Sequence, residues 1–418
     1  MSFFDDIAAG ATPSLEEFVT LLAPQFPLLE RLAETEQDPA YHAEGDVFVH
    51  TGMVLDECYR ILDAEARHFE ANERLAFVLG ALFHDIAKPI TTRRQLFDDG
   101  ERIVAPRHAD RGRSRIAPNL LGLDLPHDVV AQVLAIVGHH HDPKRLVRKE
   151  RPARSYRRLS RLAPLSLLYT FELADMRGRI CDDRDAQLEL LQFFRLYAEE
   201  AGVWETNDPY EGWAEVILEG TGGCDPATQS FILAQALRSV EAGVIATPHE
   251  EVARSYVYRD AYPELVLLCG PSGSGKSTWI AQHGNGARLV SLDDLREELT
   301  GRRSDQRRNG EVVQLAKERL REGLRAKERT IWDATSLNRE LRGNIITLAL
   351  DYHARVKLVT FLMPEDQLRQ RNRDREHHVP EEVLTRQLER FDLPYADEAH
   401  EVCCIGVDGE TIDIITPV

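Results

Sequence analysis

An apolar run, Val266-Leu-Leu-Cys269, passes directly into Gly270-Pro-Ser-Gly-Ser-Gly-Lys-Ser-Thr278, and no other stretch restricts the fold so tightly. A buried strand must end where the glycines begin, and a helix must start within a few residues. That is the strand, glycine-rich turn and helix context of a phosphate-binding P-loop. Gly270, Gly273 and Gly275 let the backbone around Ser272 and Ser274 curl until several N–H groups face phosphate oxygens. Lys276 brings a positive charge to the β- and γ-phosphates. The Ser277 hydroxyl is placed for Mg²⁺, and Thr278 continues into a helix whose N-terminus favours anions. The stretch predicts a site for ATP or another nucleoside triphosphate with Mg²⁺.

A chain of 418 residues is too long for one ordinary domain, and a hydrophobic fraction of 43% supports normal cores. No apolar run approaches the roughly 18 residues that span a membrane. The start, Met1-Ser-Phe-Phe-Asp-Asp6, has neither the basic residues nor the apolar core of a secretory leader. The six cysteines show no CxxC spacing, which argues against a disulfide framework and a zinc knuckle. A cytoplasmic protein with no membrane partner is the expectation. The formal charge of −19 disfavours a protein that coats nucleic acid nonspecifically. One segment runs the other way: Lys144–Arg161 carries nine basic residues against one acid. It reads either as a solvated helix face or as a local patch for a nucleic-acid end.

Residues 1–40 show helical apolar spacing broken by Pro24 and Pro27, and residues 42–201 are almost entirely helical in pattern. Within them Gln95–Val104 reads as a β-hairpin turning at Asp99-Gly100. A loop is expected at Thr221–Pro226 and a helix over Ser230–Ala242, with a domain boundary near residue 250. Beyond the P-loop, strands are expected at Arg288–Leu292, Thr330–Trp332 and Val356–Phe361, with a last one in Val402–Ile405 or Thr411–Ile415. Helices over Glu311–Lys327 and Glu340–Leu350 alternate with them, which predicts a parallel sheet flanked by helices.

His84-Asp85 closes the apolar helical run Leu75–Phe83. Around it lie His50, His108, the triplet His139-His140-His141 and Asp175, separated by roughly 25–35 residues, about one helix and its connection each. Imidazole and carboxylate together suit a divalent transition metal (Mn²⁺, Fe²⁺, Co²⁺, Ni²⁺ or Zn²⁺) better than Ca²⁺ or Mg²⁺. Lys88 and Arg179, one turn beyond His84 and Asp175, aim positive charge at the same place, where a phosphate's oxygens would lie. The order His50, His84-Asp85, His108, His139 or His140, Asp175 resembles the HD phosphohydrolase superfamily over residues 40–200. The resemblance implies an all-α, metal-dependent phosphohydrolase with these residues as ligands.

The acceptor of the kinase half is read from Val290-Ser-Leu-Asp-Asp-Leu-Arg296. Asp293 stands at a strand's carboxyl end, where a carboxylate can take the proton of an attacking hydroxyl. Arg296 shares its helix face and could clamp a neighbouring phosphate. Asp333-Ala-Thr335 and Asn338 end the next strand, and Arg369, Arg371, Arg373 and Arg375 suggest a lid that neutralises charge in transfer. These motifs, in this order, resemble the polynucleotide 5′-kinase family. With the helical half in front, the chain resembles the bacterial HD-domain/polynucleotide-kinase end-healing enzymes over about residues 40–410. That likeness implies two domains, 1–250 and 251–418. It also implies phosphorylation of 5′-OH ends and removal of a 2′,3′-cyclic, 2′- or 3′-phosphate. RNA or DNA ends are the substrate partners it implies and a nucleic-acid ligase is the enzyme it would serve; the oligomeric state, a homodimer among the options, is left open by the sequence. The rival readings are an HD nucleotidase fused to a small-molecule or toxin-type kinase, and a sensor whose P-loop gates the HD module.

Overall fold

The structure is a computed structural model that describes residues 2–98, 100–303, 305–374 and 378–415. Contacts divide it into two compact units, the first running to Pro209 and the second from Tyr210 to Ile415.

The first unit is helical. Its innermost helix, Ala71–Phe83, buries every residue from Leu75 to Phe83, so it is surrounded rather than amphipathic. The helix Val47–Ala64 starts where the Asp46 side chain accepts the Val49 N–H at 3.0 Å. Two close approaches set the helix ends. Gly80 lies against Ile136 of helix His127–His139, so closely that a Cβ would fall 2.7 Å from the isoleucine Cδ1. Gly178, just past helix Leu165–Arg177, lies against the backbone of Val54, where a Cβ would fall 2.8 Å from the amide nitrogen. The expected hairpin is present as β1 (Arg93–Phe97) paired antiparallel with β2 (Gly100–Val104), and it delivers the chain to helix His108–Leu120. Asp99 of its turn lies outside the described residues.

The second unit holds a six-stranded sheet of order β4-β5-β3-β6-β7-β8. Its strands are β3 (Glu264–Cys269), β4 (Arg288–Ser291), β5 (Arg329–Asp333), β6 (Arg355–Phe361), β7 (Glu401–Ile405) and β8 (Thr411–Ile412). All pairs are parallel except β7 with β8, so both proposed last strands exist and form the antiparallel edge. β3 is central and buried from Leu265 to Cys269, as its apolar run requires.

Helices Trp213–Gly220, Pro226–Glu241 and Pro248–Ser255 share a core of Ile217, Phe231, Ile232 and Tyr258. That core joins the sheet through His400, which accepts the Val356 N–H at 2.9 Å and bonds Gln235 at 2.8 Å. The division between units therefore lies at Pro209/Tyr210 rather than near residue 250. Among the described residues no helix is long and apolar enough to cross a membrane.

Candidate metal centre and phosphoryl-transfer site

In the first unit five helix ends converge. His50 lies in the first turn of Val47–Ala64, and His84-Asp85 follows the last turn of Ala71–Phe83. His108 opens its helix, His140 closes His127–His139, and Asp175 comes from Leu165–Arg177. His50, His84, Asp85, His140 and Asp175 are at most 2% exposed, and His108 is 8%.

Each ring turns one nitrogen outward to a fixed acceptor. Nδ1 of His84, His108 and His140 donates to the carbonyls of Ala81, Ala105 and Val137 at 2.7–2.9 Å, and Nδ1 of His50 lies 3.0 Å from Glu44 Oε1. The other nitrogen, Nε2, is thereby left as a lone pair pointing inward. His50 Nε2 is 3.4 Å from His84 Nε2 and 3.1 Å from Asp175 Oδ1. His108 Nε2 is 3.2 Å from both His140 Nε2 and Asp85 Oδ1. Asp85 stands between the groups, with Oδ2 3.1 Å from His84 Nε2.

Acceptors facing acceptors at these distances repel unless a cation lies among them. Burial pushes His108 and His140 below their ordinary range, which keeps their inward nitrogens bare. Burial also lowers His84, but Asp85 and Asp175 outweigh it and raise it, so this point attracts positive charge. Burial raises Asp85 and Asp175, yet their cationic neighbours hold both well below the usual carboxylate range. The donor set fits divalent ions: His50, His84, Asp85 and Asp175 on one side, Asp85, His108 and His140 on the other.

The structure chooses within the triplet. His139 turns away and bonds Asp142 Oδ2 through Nδ1 at 2.8 Å, so His140, not His139, joins the cluster. Lys88 and Arg179 do reach the centre, but they hold its carboxylates. Lys88 Nζ is 2.7 Å from Asp85 Oδ2, and Arg179 bonds both oxygens of Asp175 at 2.9 Å. Two groups escaped the sequence reading. The Glu44 side chain is buried and receives His50, His42 and the Ile180 N–H; nothing in its spacing marks it. Lys144 is drawn inward to Glu172 at 2.6 Å and leaves the basic face altogether.

In the second unit the P-loop has the geometry its glycines require. Gly273 and Gly275 have φ of +88° and +104°, and a Cβ on Gly270 would fall 2.7 Å from Ser274 Oγ. Lys276 Nζ curls back onto the carbonyls of Gly270 and Pro271 at 2.8 Å. Ser277 and Thr278 are exposed in the first turn of helix Lys276–His283. The Ser272 N–H is received by Gln387 Oε1 at 2.8 Å, from helix Glu381–Arg390, a contact the sequence did not suggest.

β4 and β5 end at the same edge of the sheet. Asp293, in the first turn of helix Leu292–Thr300, has its side chain 68% exposed. Arg296 is buried instead, its guanidinium shared among Asp293, the Arg303 carbonyl and Asn309. These contacts tie Arg296 to Asp293 and to the loop that follows. Asp333, opposite Ser291 in register, is raised by burial against the pull of Lys276. Asn338 caps helix Arg339–Leu350.

Of the expected lid, Arg371 bonds the Val407 carbonyl at 2.9 Å, Arg369 is held by Glu365 and Glu381, and Arg375 lies outside the described residues. Helix Glu365–Arg373 lies against the P-loop, with Leu368 Cδ1 3.7 Å from a Cβ on Gly273.

Residues 47–167 match the family model described as HD domain, and residues 265–394 match the model described as AAA domain. No curated protein matches the chain. A solved structure titled "Structure of Pnkp1/Rnl/Hen1 complex" aligns at 22% identity with a TM-score of 0.25. The alignment covers 29% of this chain and 41% of that one, so the chain spans about two fifths of that protein's length. The converging His/Asp helix ends fall in or just beyond the first match and the P-loop sheet in the second. The chain thus carries a segment that matches an HD domain, followed by a P-loop segment that matches an AAA domain.

Proposed function

We propose that this chain heals nucleic-acid ends. The P-loop domain transfers a γ-phosphoryl group from ATP or another NTP to a 5′-OH end of RNA or DNA. The HD domain removes a 2′,3′-cyclic, 2′- or 3′-phosphate from the other end, and a ligase would use the product.

One observation carries the polynucleotide part of this reading. Directly after the His140 helix end, Arg145, Arg148, Lys149, Arg151, Arg154 and Arg158 are exposed, in a chain whose formal charge is −19. A free mononucleotide needs no such track, whereas a phosphodiester backbone is held by one.

At the kinase edge Asp293 accepts the proton of the attacking hydroxyl, with buried Arg296 fixing where its carboxylate stands. Lys276 moves from the loop carbonyls to the β- and γ-phosphates, and Ser277 and Asp333 are the residues that would hold Mg²⁺. In the HD domain His50, His84, Asp85, His108, His140 and Asp175 would hold the ions, which Lys88 and Arg179 help by locking Asp85 and Asp175 in place. Such ions supply Lewis acidity toward a phosphoryl oxygen and ready a water for attack at neutral pH.

Transfer of labelled γ-phosphate to a 5′-OH oligonucleotide tests the reading, together with release of phosphate from a 3′-phosphorylated or 2′,3′-cyclic end. Phosphorylation of free nucleosides but not of oligonucleotides would favour the rival reading, a nucleotidase fused to a small-molecule kinase.

A further inference from the structure

The hairpin that leads to His108 sorts its side chains by face. Alternate residues of β1 and β2 point to opposite sides, and residues paired across the strands share a side. The register therefore puts Arg93, Gln95, Phe97, Arg102 and Val104 on one face and Arg94, Leu96, Glu101 and Ile103 on the other. On that second face Arg94 pairs with Glu101 and Glu36. Among the described strand residues the first face holds two arginines and an aromatic ring but no acid.

Phe97 is 41% exposed, and its partner across the strands is Gly100, which has no side chain to cover the ring. The Arg102 guanidinium carbon lies 5.8 Å from the ring centre, and Arg102 Nη1 donates to the Tyr41 hydroxyl at 3.1 Å. Tyr41, itself 43% exposed, extends the face. Both sides of this surface run into the metal centre. The Ala105 carbonyl, one residue past β2, receives His108 Nδ1 at 2.7 Å. Tyr41 precedes His42, which shares Glu44 with His50.

We propose that this face of the hairpin binds the unpaired nucleotides next to a 3′-terminal phosphate, with a base stacked on Phe97 and the phosphodiester backbone against Arg93 and Arg102. The inference rests on the end-healing reading given above and names how its HD half holds a polynucleotide. Exposed rings set among arginines suit a single strand, because every unpaired base offers a flat face and every linkage a negative charge. Arg102 stands six residues before His108, at most about 21 Å of extended chain, so a strand ending at the centre is within reach of the hairpin. The simpler role for Phe97 is to cover Gly100, which any apolar side chain of that size would do.

Fluorescence anisotropy of the chelator-stripped full chain separates these roles, with 5′-labelled single strands of RNA and of DNA that end in a 3′-phosphate. Phe97→Leu keeps an apolar cover over Gly100 but has no ring, and should bind roughly tenfold more weakly. Phe97→Trp should bind at least as tightly as wild type. Arg102→Gln should weaken binding and lower the slope of log affinity against log salt by roughly 0.7. Wild-type affinity in Phe97→Leu, a loss in Phe97→Trp, or an unchanged salt slope in Arg102→Gln would each overturn the proposal. Failure of wild type to bind either strand would instead overturn the end-healing reading beneath it.

Discussion

Arg342 brings a full charge to a place with no solvent exposure, and five oxygens and the Cys269 sulfur receive it. Nε and Nη2 bond the two Glu398 oxygens at 2.8 and 3.0 Å, while Nη1 reaches the carbonyls of Ser336, Leu337 and Asp392. Burial lowers its pKa, but its anionic neighbours outweigh burial and raise it, so it stays charged. Arg342→Met would remove the charged donor that Glu398 and three carbonyls share. It should destabilise the second unit by roughly 3–5 kcal/mol, read from its urea midpoint.

His400 gives the pH counterpart. Burial, then Arg238 and Arg355, lower it to about 3, and both ring nitrogens are engaged in the neutral form. The unfolded chain takes a proton below about pH 6.5 that the folded chain refuses. Stability is therefore full above pH 6.5 and is lost as pH falls toward 3. From pH 6.5 to 4.5 this one group should cost roughly 2–3 kcal/mol. Urea unfolding at those two pH values measures it, and His400→Gln should flatten the difference.

At the scale of elements, the metal centre depends on how closely helix ends approach. A Cβ on Gly178 meets backbone atoms of Val54, which cannot rotate away, whereas one on Gly80 meets only the Ile136 side chain. Gly178→Ala should push the Asp175 helix off the His50 helix, costing about 1–3 kcal/mol and most of the phosphohydrolase activity. Gly80→Ala should cost less on both counts. Thermal unfolding and phosphate release decide between them.

These same ends explain what could be read from the chain alone. The P-loop was legible because its glycines need one backbone path, and the sheet because strand and helix periods alternate around it. The ligand order was legible because each residue stands at the edge of an apolar run. Which member of His139-His140-His141 turns inward was not, because successive residues at a helix end point about 100° apart. The burial of Arg296 was not legible because its spacing gives the face but not the depth; the loop that covers it arrives from Arg303 to Asn309. Glu44 sits in the short turn before the His50 helix, which has no period to read, and Gln387 meets the P-loop from a helix more than a hundred residues further on.

In the whole molecule the two sets of chemical groups belong to separate compact units, each with its own core. Lys276→Ala or Asp293→Ala should abolish kinase activity and spare phosphate removal, and His84→Ala or Asp85→Ala should do the reverse. Assays of both activities on each folded variant test this, and loss of both in one variant would count against independent sites.

The bare ring nitrogens buried together at the helix ends carry a consequence for durability. Only the folded chain brings these groups together, so an ion they hold is held by the native state alone. An ion that binds only the folded chain shifts the unfolding equilibrium by mass action, by about 2.7 kcal/mol at a free concentration one hundred times its dissociation constant. The first unit should therefore melt earlier under chelation while the second holds its own transition. How long the phosphate-removing half survives would then follow the supply of free transition metal around it.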